Sequence, residues 1–481
     1  MVETVDITSL NAVAAGTNKA TPRIVASGFG GRLMGTSDMV KVTAEEITQT
    51  NEMDIKNKAG SQYSKVVHPS EKPWSMSTFV EKINWLNMIL VAAIPLYGFV
   101  ELFRIHWDPR TVVLGFILYV FSGLSITAGY HRLYAHKAYD AALPVRMFFA
   151  FFGAGAIEGS IKWWGHSHRV HHRYTDTARD PYDARQGFWY SHMGWMLTKP
   201  NPKNKARADI SDMMADPVVV FQHKHYMYLM LFSAFILPTI IAGLGWGDWY
   251  GGFIIAGVLK SCIIQQVTFC VNSLAHWIGV QPFDDRRSPR DHVLTALVTF
   301  GEGYHNFHHE FPSDYRNALK WYQYDPTKVV IWTLSKVGLA YNLKMFSQNA
   351  IEQGLVQQQQ KKLDRMKAKL NWGATVDELP VWTRDEFDAR AKDEGLLIIG
   401  GIIHKVGPFI NEHPGGKALI KATIGKDATK AFSGGVYYHS NAAHNLLKSM
   451  RVAVIKDAEV TSNTFDAQNF LEQKEKANAT N

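Results

Sequence analysis

Four apolar runs of nearly membrane-spanning length constrain this chain more than any other feature: Trp85 to Leu102, Thr111 to Gly129, Tyr226 to Leu244, and Gly251 to Ser273. They come as two pairs. The turns inside the pairs, Phe103 to Arg110 and Gly245 to Tyr250, are too short to carry the chain back across a bilayer, so each pair is expected to form a helical hairpin. Everything outside the hairpins then shares one side of the membrane. Lys and Arg are abundant between His131 and His225 and again after His276, whereas the second hairpin turn carries no basic residue. The positive-inside rule places the common side in the cytosol. The expected architecture is an all-α membrane protein of four transmembrane helices under a cytosolic helical cap, multi-pass, with both termini cytosolic.

Two details strain that picture. Lys260, with Gln265 and Gln266, falls inside the fourth run, where a charge must face the bundle or snorkel; packing against neighbouring helices is the expectation. Met147 to Ile157 is apolar but too short to span and is expected along the interface. The start of the chain, with Glu3 and Asp6 and no apolar core, resembles neither a secretory signal nor a mitochondrial presequence, so the first span must act as the targeting signal. Asn478-Ala479-Thr480 is a formal glycosylation sequon that this topology leaves in the cytosol, a chance match. Cys262 and Cys270, the two cysteines, share one apolar run and imply no disulfide framework. A net charge of +8 suits nucleic acid, an anionic membrane surface or an acidic ligand, and composition alone does not choose. Given the spans, membrane lipid is the expected partner and nucleic acid is not.

Composition divides the chain further. Residues 1–74 are polar and expected to lack fixed structure; 75–345 hold the membrane domain; 346–376 form a linker or surface helix with Gln357 to Gln360 followed by Lys361, Lys362, Arg365, Lys367 and Lys369; 377–457 read as a small soluble α+β domain; 458–481 form a polar tail. No internal repeat is visible.

The 20 histidines matter by placement. His131 and His136 lie in HRLYAH, His168, His171 and His172 in HRVHH, and His305, His308 and His309 in HNFHH. In HxxHH on a helix the three imidazoles fall on one face and can grip a metal from one side. A lone histidine is more often solvated or packed; three groups on one predicted side of a membrane are a metal site. Imidazole suits Zn, Cu, Fe or Ni, and this many ligands imply two metals. A zinc pair would suit hydrolysis, but no nucleophile motif accompanies it, whereas a redox pair beside lipid suits oxygen activation.

HRLYAH, HRVHH, NSLAHWIG and EGYHNFHH stand in the order and spacing of the stearoyl-CoA type Δ9 desaturases, and the chain resembles that family from about residue 75 to 345. The resemblance implies a di-iron centre held by His131, His136, His168, His171, His172, His276, His305, His308 and His309, with Asn272 at the position of a water-mediated contact to one iron. His276 gains its place only through the NSLAH match. His166, His192 and His292 gain none and are expected to be structural or solvated. The family's substrate is a saturated acyl-CoA in a closed tunnel. Lys199 and Trp164 match positions near its headgroup, and Tyr119 and Gly123 match the tunnel's far end, where a glycine should leave room for a long chain. Ordinary helix packing for Tyr119 and Gly123, and a solvated surface for Lys199, are the plain alternatives. Where the family often has Arg-Asp before HRxHH, this chain has His166-Ser167, which changes the expected CoA contacts.

The C-terminal domain contains INEHPGG, with His413 followed by Pro414, Gly415 and Gly416, and a second histidine, His439, in YYHSNAAHNLL. Two axial imidazoles make a six-coordinate haem that passes single electrons and leaves no site for oxygen. Phe409 and Leu419 are candidate walls. From about Leu379 to Val454 the domain resembles cytochrome b5, with haem b on His413 and His439 and with His444 as a decoy. A desaturase followed by a cytochrome b5 domain resembles the fungal Δ9 enzymes. The expected system is an endoplasmic reticulum enzyme using O2, a tethered electron donor and a separate NADH-cytochrome b5 reductase, since no GxGxxG fold is present. A membrane di-iron fatty-acid hydroxylase is the enzymatic rival, and a membrane electron carrier or metal-storage protein is the rival from another class.

Overall fold

The computed structural model describes residues 68–458 and 460, apart from 74 and 435–437. The expected polar segment at 1–74 and tail at 458–481, with its sequon, lie almost wholly outside the described residues. Among the described residues three helices are long and apolar enough to cross a membrane: α2 (Pro109–Ala135, 27 residues), α5 (Tyr226–Trp246, 21 residues) and α6 (Trp249–Trp277, 29 residues). The first expected span is the shorter apolar helix α1, Trp85–Glu101. Its 17 residues rise about 25 Å against a hydrocarbon core of about 30 Å. Asn84 caps its start by accepting from Asn87 N, Glu101 closes it, and Arg104 and Asp108 follow before Pro109 opens α2. Leu86, Ile89, Leu96 and Phe99 on α1 are exposed apolar side chains, as a lipid-facing surface requires.

Small residues let these helices approach. A β-carbon on Gly98 of α1 would lie 2.6 Å from Val258 Cγ1 of α6, and one on Gly115 of α2 would lie 3.4 Å from Ala256 Cα. The interfacial segment forms α3, Leu143–Ala154, which is too short to span and packs on the second half of α2 through Phe149 against Gly129 and Gly153 against Tyr130. The Lys260 conflict resolves as interior packing. Lys260 Nζ donates to the Gly155 carbonyl at 2.8 Å, Ser261 Oγ to the same oxygen at 3.2 Å, and Gln265 Nε2 to Ile157 O at 3.2 Å, so polar groups of α6 satisfy carbonyls freed at the end of α3.

The end of α2 departs from α-helical winding. Ser125–Ala135 forms a π-helix, and His136 N donates to His131 O at 3.0 Å. Beyond it the chain enters a short antiparallel ladder, β1 (Asp140–Ala141) with β2 (Ala340–Tyr341), which ties the exit of α2 to the end of the membrane domain. Between these come α4 (Ile161–Tyr174), capped by Ser160, then α7 (Val293–Val298), α8 (His305–Glu310) and α9 (Pro326–Lys336).

The polar helix α10, Gln348–Lys367, is latched to the membrane domain: Lys361 and Arg365 pair with Asp285, and Ile351 is buried with Phe283, Phe307 and Phe311. The C-terminal domain holds a four-stranded sheet ordered β3 (Val381–Trp382), β6 (Arg451–Ile455), β5 (Ile402–Lys405), β4 (Leu396–Ile399), with β3 parallel to β6 and the other pairs antiparallel. All four residues of β4 are buried. Leu396 and Ile398 face a core with Phe387 of α11 (Arg384–Glu394), while Leu397 and Ile399 face a second core with Ile420 and Leu447 from α12 (Lys417–Thr423) and α13 (Asn441–Ser449). That second core underlies the His413–His439 pocket.

Candidate functional site

The nine predicted histidines converge. Ring nitrogens of His131, His136, His168, His172 and His308 lie within 4.8 Å of one another, and those of His171, His276, His305 and His309 form a second such set. Contacts between Nε2 atoms run from 2.8 Å for His136–His168 through 3.0 Å for His172–His308 to 3.2 Å for His171–His309.

Each HxxHH box serves both sets, which corrects the expectation that one box grips one metal from one side. On α4, His168 and His172 join the five-membered set and His171 the other; on α8, His305 and His309 join the four-membered set and His308 the other. At 3.6 residues per turn, positions i and i+4 differ by about 40°, while i+3 lies about 60° to the other side of i. The i, i+4 pair therefore shares one centre and the i+3 ring is directed to the next. The π winding accounts for HRLYAH. Residues five apart on an α-helix point about 140° apart, but a π turn closes i onto i+5, and the His131 and His136 rings lie 4.8 Å apart.

The outer nitrogens fix the tautomers. His131 Nδ1 lies 2.9 Å from Glu302 Oε2, and His171 Nδ1 donates to Asp180 Oδ1 at 2.9 Å. Ser288 Oγ spends its hydrogen on Asp176 Oδ1 at 2.6 Å, so it accepts from His276 Nδ1 at 2.7 Å. In each case Nε2 is left with its lone pair directed inward. Burial, reinforced by neighbouring imidazoles, holds His136, His168, His172, His305, His308 and His309 well below the usual imidazole range, so these rings are neutral donors. Neutral, inward-facing Nε2 atoms in two adjoining sets fit a pair of imidazole-liking metals.

A cavity adjoins the five-membered set, lined by His131 and His168 together with Trp164, Asn272, Tyr119 and Gly123. Trp164 stacks on His168 with ring centres 4.8 Å apart. Asn272 is thus beside the site, on the last turn of α6's α-helical run before Ser273. Gly123 does not leave open space as expected, because a β-carbon there would lie 2.5 Å from Phe300 Cε2. Lys199 is exposed next to the Ile83–Thr198 bridge and is not among the lining residues. His192 is buried, bonded to Ser273 Oγ at 2.9 Å and Gln266 Oε1 at 3.0 Å; His292 bonds Thr295 Oγ1, and His166 is half-buried. None of these three joins either set.

Sequence reasoning missed Glu158, Glu302, Asp180 and Ser288. Glu302 lies inside the EGYHNFHH motif and could have been read; the others stand in turns and gain meaning only from the fold. Glu158 lines the cavity at 4 % exposure, accepts from Trp164 Nε1 at 3.2 Å through Oε2, and has no hydrogen-bond partner for Oε1. Burial pushes its carboxyl up to about 8.

In the C-terminal domain the His413 and His439 rings lie 6.4 Å apart, centre to centre. With a metal–imidazole bond of about 2 Å, two rings facing across one metal have centres about 6 Å apart. His413 Nδ1 donates to Gly416 O at 3.2 Å and His439 Nδ1 to Phe432 O at 3.0 Å, backbone anchors that suit Nε2 ligation. Gly415 passes so near the His413 ring that a β-carbon would lie 2.9 Å from its Cε1. Phe409 flanks His413 at 6.0 Å, Leu419 is 61 % exposed beside Gly415, and His444 packs instead on Phe432 at 4.8 Å. The pocket fits a bis-imidazole haem.

Comparison with known proteins agrees with both readings. The fatty acid desaturase family model matches residues 109–344, and the cytochrome b5-like heme/steroid binding domain model matches 383–456. Acyl-CoA desaturase 1 of Saccharomyces cerevisiae is 56% identical over 467 residues, 95% of this chain and 91% of the relative. A probable acyl-CoA desaturase of Schizosaccharomyces pombe is 51% identical over 389 residues, 81% of each chain. The Delta(9)-fatty-acid desaturase fat-6 of Caenorhabditis elegans is 40% identical over 269 residues, 55% of this chain and 79% of the relative.

Proposed function

This chain belongs to the acyl-CoA desaturase family, and from that premise we propose that it introduces a double bond into a saturated long-chain acyl-CoA, at the Δ9 position, using O2 and electrons from its own haem domain. The observation that carries the reading is the junction of two inward-facing imidazole sets with a largely apolar cavity on a membrane-embedded helix bundle.

The nine histidines would hold two irons, five on one and four on the other, with Asn272 on the wall of the adjoining cavity, and His413 and His439 would hold haem b. When bound, the iron pair supplies oxygen activation and hydrogen removal at an unactivated methylene pair, and the haem supplies single electrons. The overall reaction consumes O2, two external electrons and two protons and releases two waters, the other two electrons coming from the carbons that become the double bond.

The protein's own groups position and exclude. Glu302, Asp180 and Ser288 fix the ligating tautomers, Trp164 and the apolar walls keep bulk water from the chain, and the Trp164–Glu158 contact closes the cavity beside the imidazoles. Trp164 and Lys199 would serve the headgroup end, with Lys199 reading CoA phosphates at the exposed surface. Helix α10, held at Asp285, keeps the haem domain on a short tether and so at high local concentration.

The wider reading keeps 75–345 as the membrane domain, 346–376 as linker and 377–457 as the haem domain, with 1–74 and 458–481 as polar ends. Helix α1 would complete four crossings by local thinning of the bilayer. Basic residues around the imidazole sets support a cytosolic site, in the endoplasmic reticulum, reloaded by an NADH-cytochrome b5 reductase.

The test is expression in a desaturase-deficient host with fatty-acid profiling. Δ9-monounsaturated chains are expected; hydroxylated chains would assign a hydroxylase, and an unchanged profile with an intact haem spectrum would assign an electron carrier.

A further inference from the structure

Phe300 stands where a helix commonly ends in glycine. Helix α7 closes at Val298, Thr299 caps it, and Phe300 takes a φ of 55°. That left-handed conformation suits glycine at the position after a helix cap and costs a bulky residue steric strain. The surroundings hold it there: Gly301 N donates to Ala296 O at 2.9 Å, and Thr327 Oγ1 donates to the Phe300 carbonyl at 2.9 Å.

Gly123 is the reverse exception. It lies inside α2, where glycine weakens a helix relative to alanine. The two exceptions meet, since a β-carbon on Gly123 would fall 2.5 Å from Phe300 Cε2 and 2.9 Å from Cζ. The phenyl ring occupies the space the absent side chain leaves. Its centre is 5.4 Å from the Tyr119 ring, and all three residues line the cavity that also takes in His131 and His168. Two local rules broken at one point, each filling the other's space, mark a position selected for what it does to the cavity.

We propose that Phe300, seated on Gly123, is the stop of the acyl tunnel and determines the longest chain this protein accepts. The determinant is then supplied by the loop between α7 and α8 rather than by the apolar helices. Gly123 and His131 lie on the same helix about two turns apart, roughly 12 Å along its axis, a span suited to the methyl half of a chain whose middle sits at the imidazoles. The inference rests on the acyl-CoA reading above.

The test presents palmitoyl-, stearoyl- and arachidoyl-CoA in competition to the full-length protein and to its Phe300→Gly variant, with iron and haem content measured alongside. Glycine takes the native φ without clash, so the loop is preserved while the ring is removed. The ratio of arachidoyl to palmitoyl product should rise about tenfold, the scale on which a filled apolar pocket discriminates methylenes. Adding Gly123→Leu to Phe300→Gly should return the ratio toward the parent's. If the variant desaturates the three substrates in the parent's proportions, or retains its iron yet desaturates none, Phe300 is not the stop. A parent protein active on none of the three overturns the acyl-CoA reading itself, and this inference with it.

Discussion

His131 and Arg132, adjacent in sequence, meet the same buried carboxylate: His131 Nδ1 lies 2.9 Å from Glu302 Oε2, and Arg132 Nη2 donates to Glu302 Oε1 at 2.9 Å. Both residues lie in the π-wound end of α2. Arg132 also pairs with Asp325 at 3.0 Å, so the guanidinium remains compensated if Glu302 changes.

Glu302→Gln should therefore leave the fold in place while loosening the iron that His131 ligates. The carboxylate orients the ring and raises its basicity, and outer partners of this kind are worth about 10–100-fold in metal affinity. Iron per chain, measured after competition with a chelator, is expected to fall toward one. Parent-like retention of both irons would show that Glu302 serves only Arg132.

Ser288→Ala addresses the other iron set. Ser288 is the hydroxyl through which Asp176 reaches His276, a member of the four-membered set. The variant should lose iron from the four-membered set with a roughly tenfold weaker affinity, and double-bond formation should fall with it. Combining Ser288→Ala with Glu302→Gln should then empty both sites additively, because each acts on a different ion.

The haem and iron functions separate by substitution. His171 is buried in the four-membered set and His439 stands in the C-terminal pocket. His171→Ala is expected to lower desaturation by at least about a hundredfold, since a direct ligand outweighs its outer partners, and to leave the haem absorption spectrum intact. His439→Ala should abolish the bis-imidazole spectrum and leave iron at the membrane site. Full activity in His171→Ala would dismantle the ligand assignment.

The histidine boxes were legible because an i, i+3, i+4 pattern on a helix states its own geometry, and HPGG with a second histidine did the same for the haem pocket. Three features were not. HRLYAH gave no reason for rings five residues apart to meet because sequence does not announce π winding, which here brings His136 back over His131. Lys260 was expected to pack inside the bundle, as it does, but its acceptor could not be named because the Gly155 carbonyl belongs to a helix end far away in sequence. Gly123 read as open room because Phe300, which takes that room, comes from a loop with no periodic signal. The first apolar run was recognised, but its length as a helix depends on where Glu101 and Asp108 fall, and among the described residues three helices reach spanning length.

Glu158 predicts how stability should depend on pH. Its carboxyl is pushed from 4.5 up to about 8, chiefly by burial, against smaller opposing effects of the Thr268 hydroxyl and Trp164. Between those values the folded protein holds a proton that the unfolded chain has released. The folded state then binds more protons, and stability falls as pH rises from about 4.5 to about 8, levelling beyond, where both states are ionised. Glu158→Gln keeps the donor–acceptor shape and removes the titration. Its melting temperature, measured in detergent, should exceed the parent's by several degrees at pH 8, consistent with a few kcal/mol, and the difference should shrink toward zero near pH 4.5. A gap between the two proteins that stays constant across this range would mean that the Glu158 proton contributes nothing to the fold.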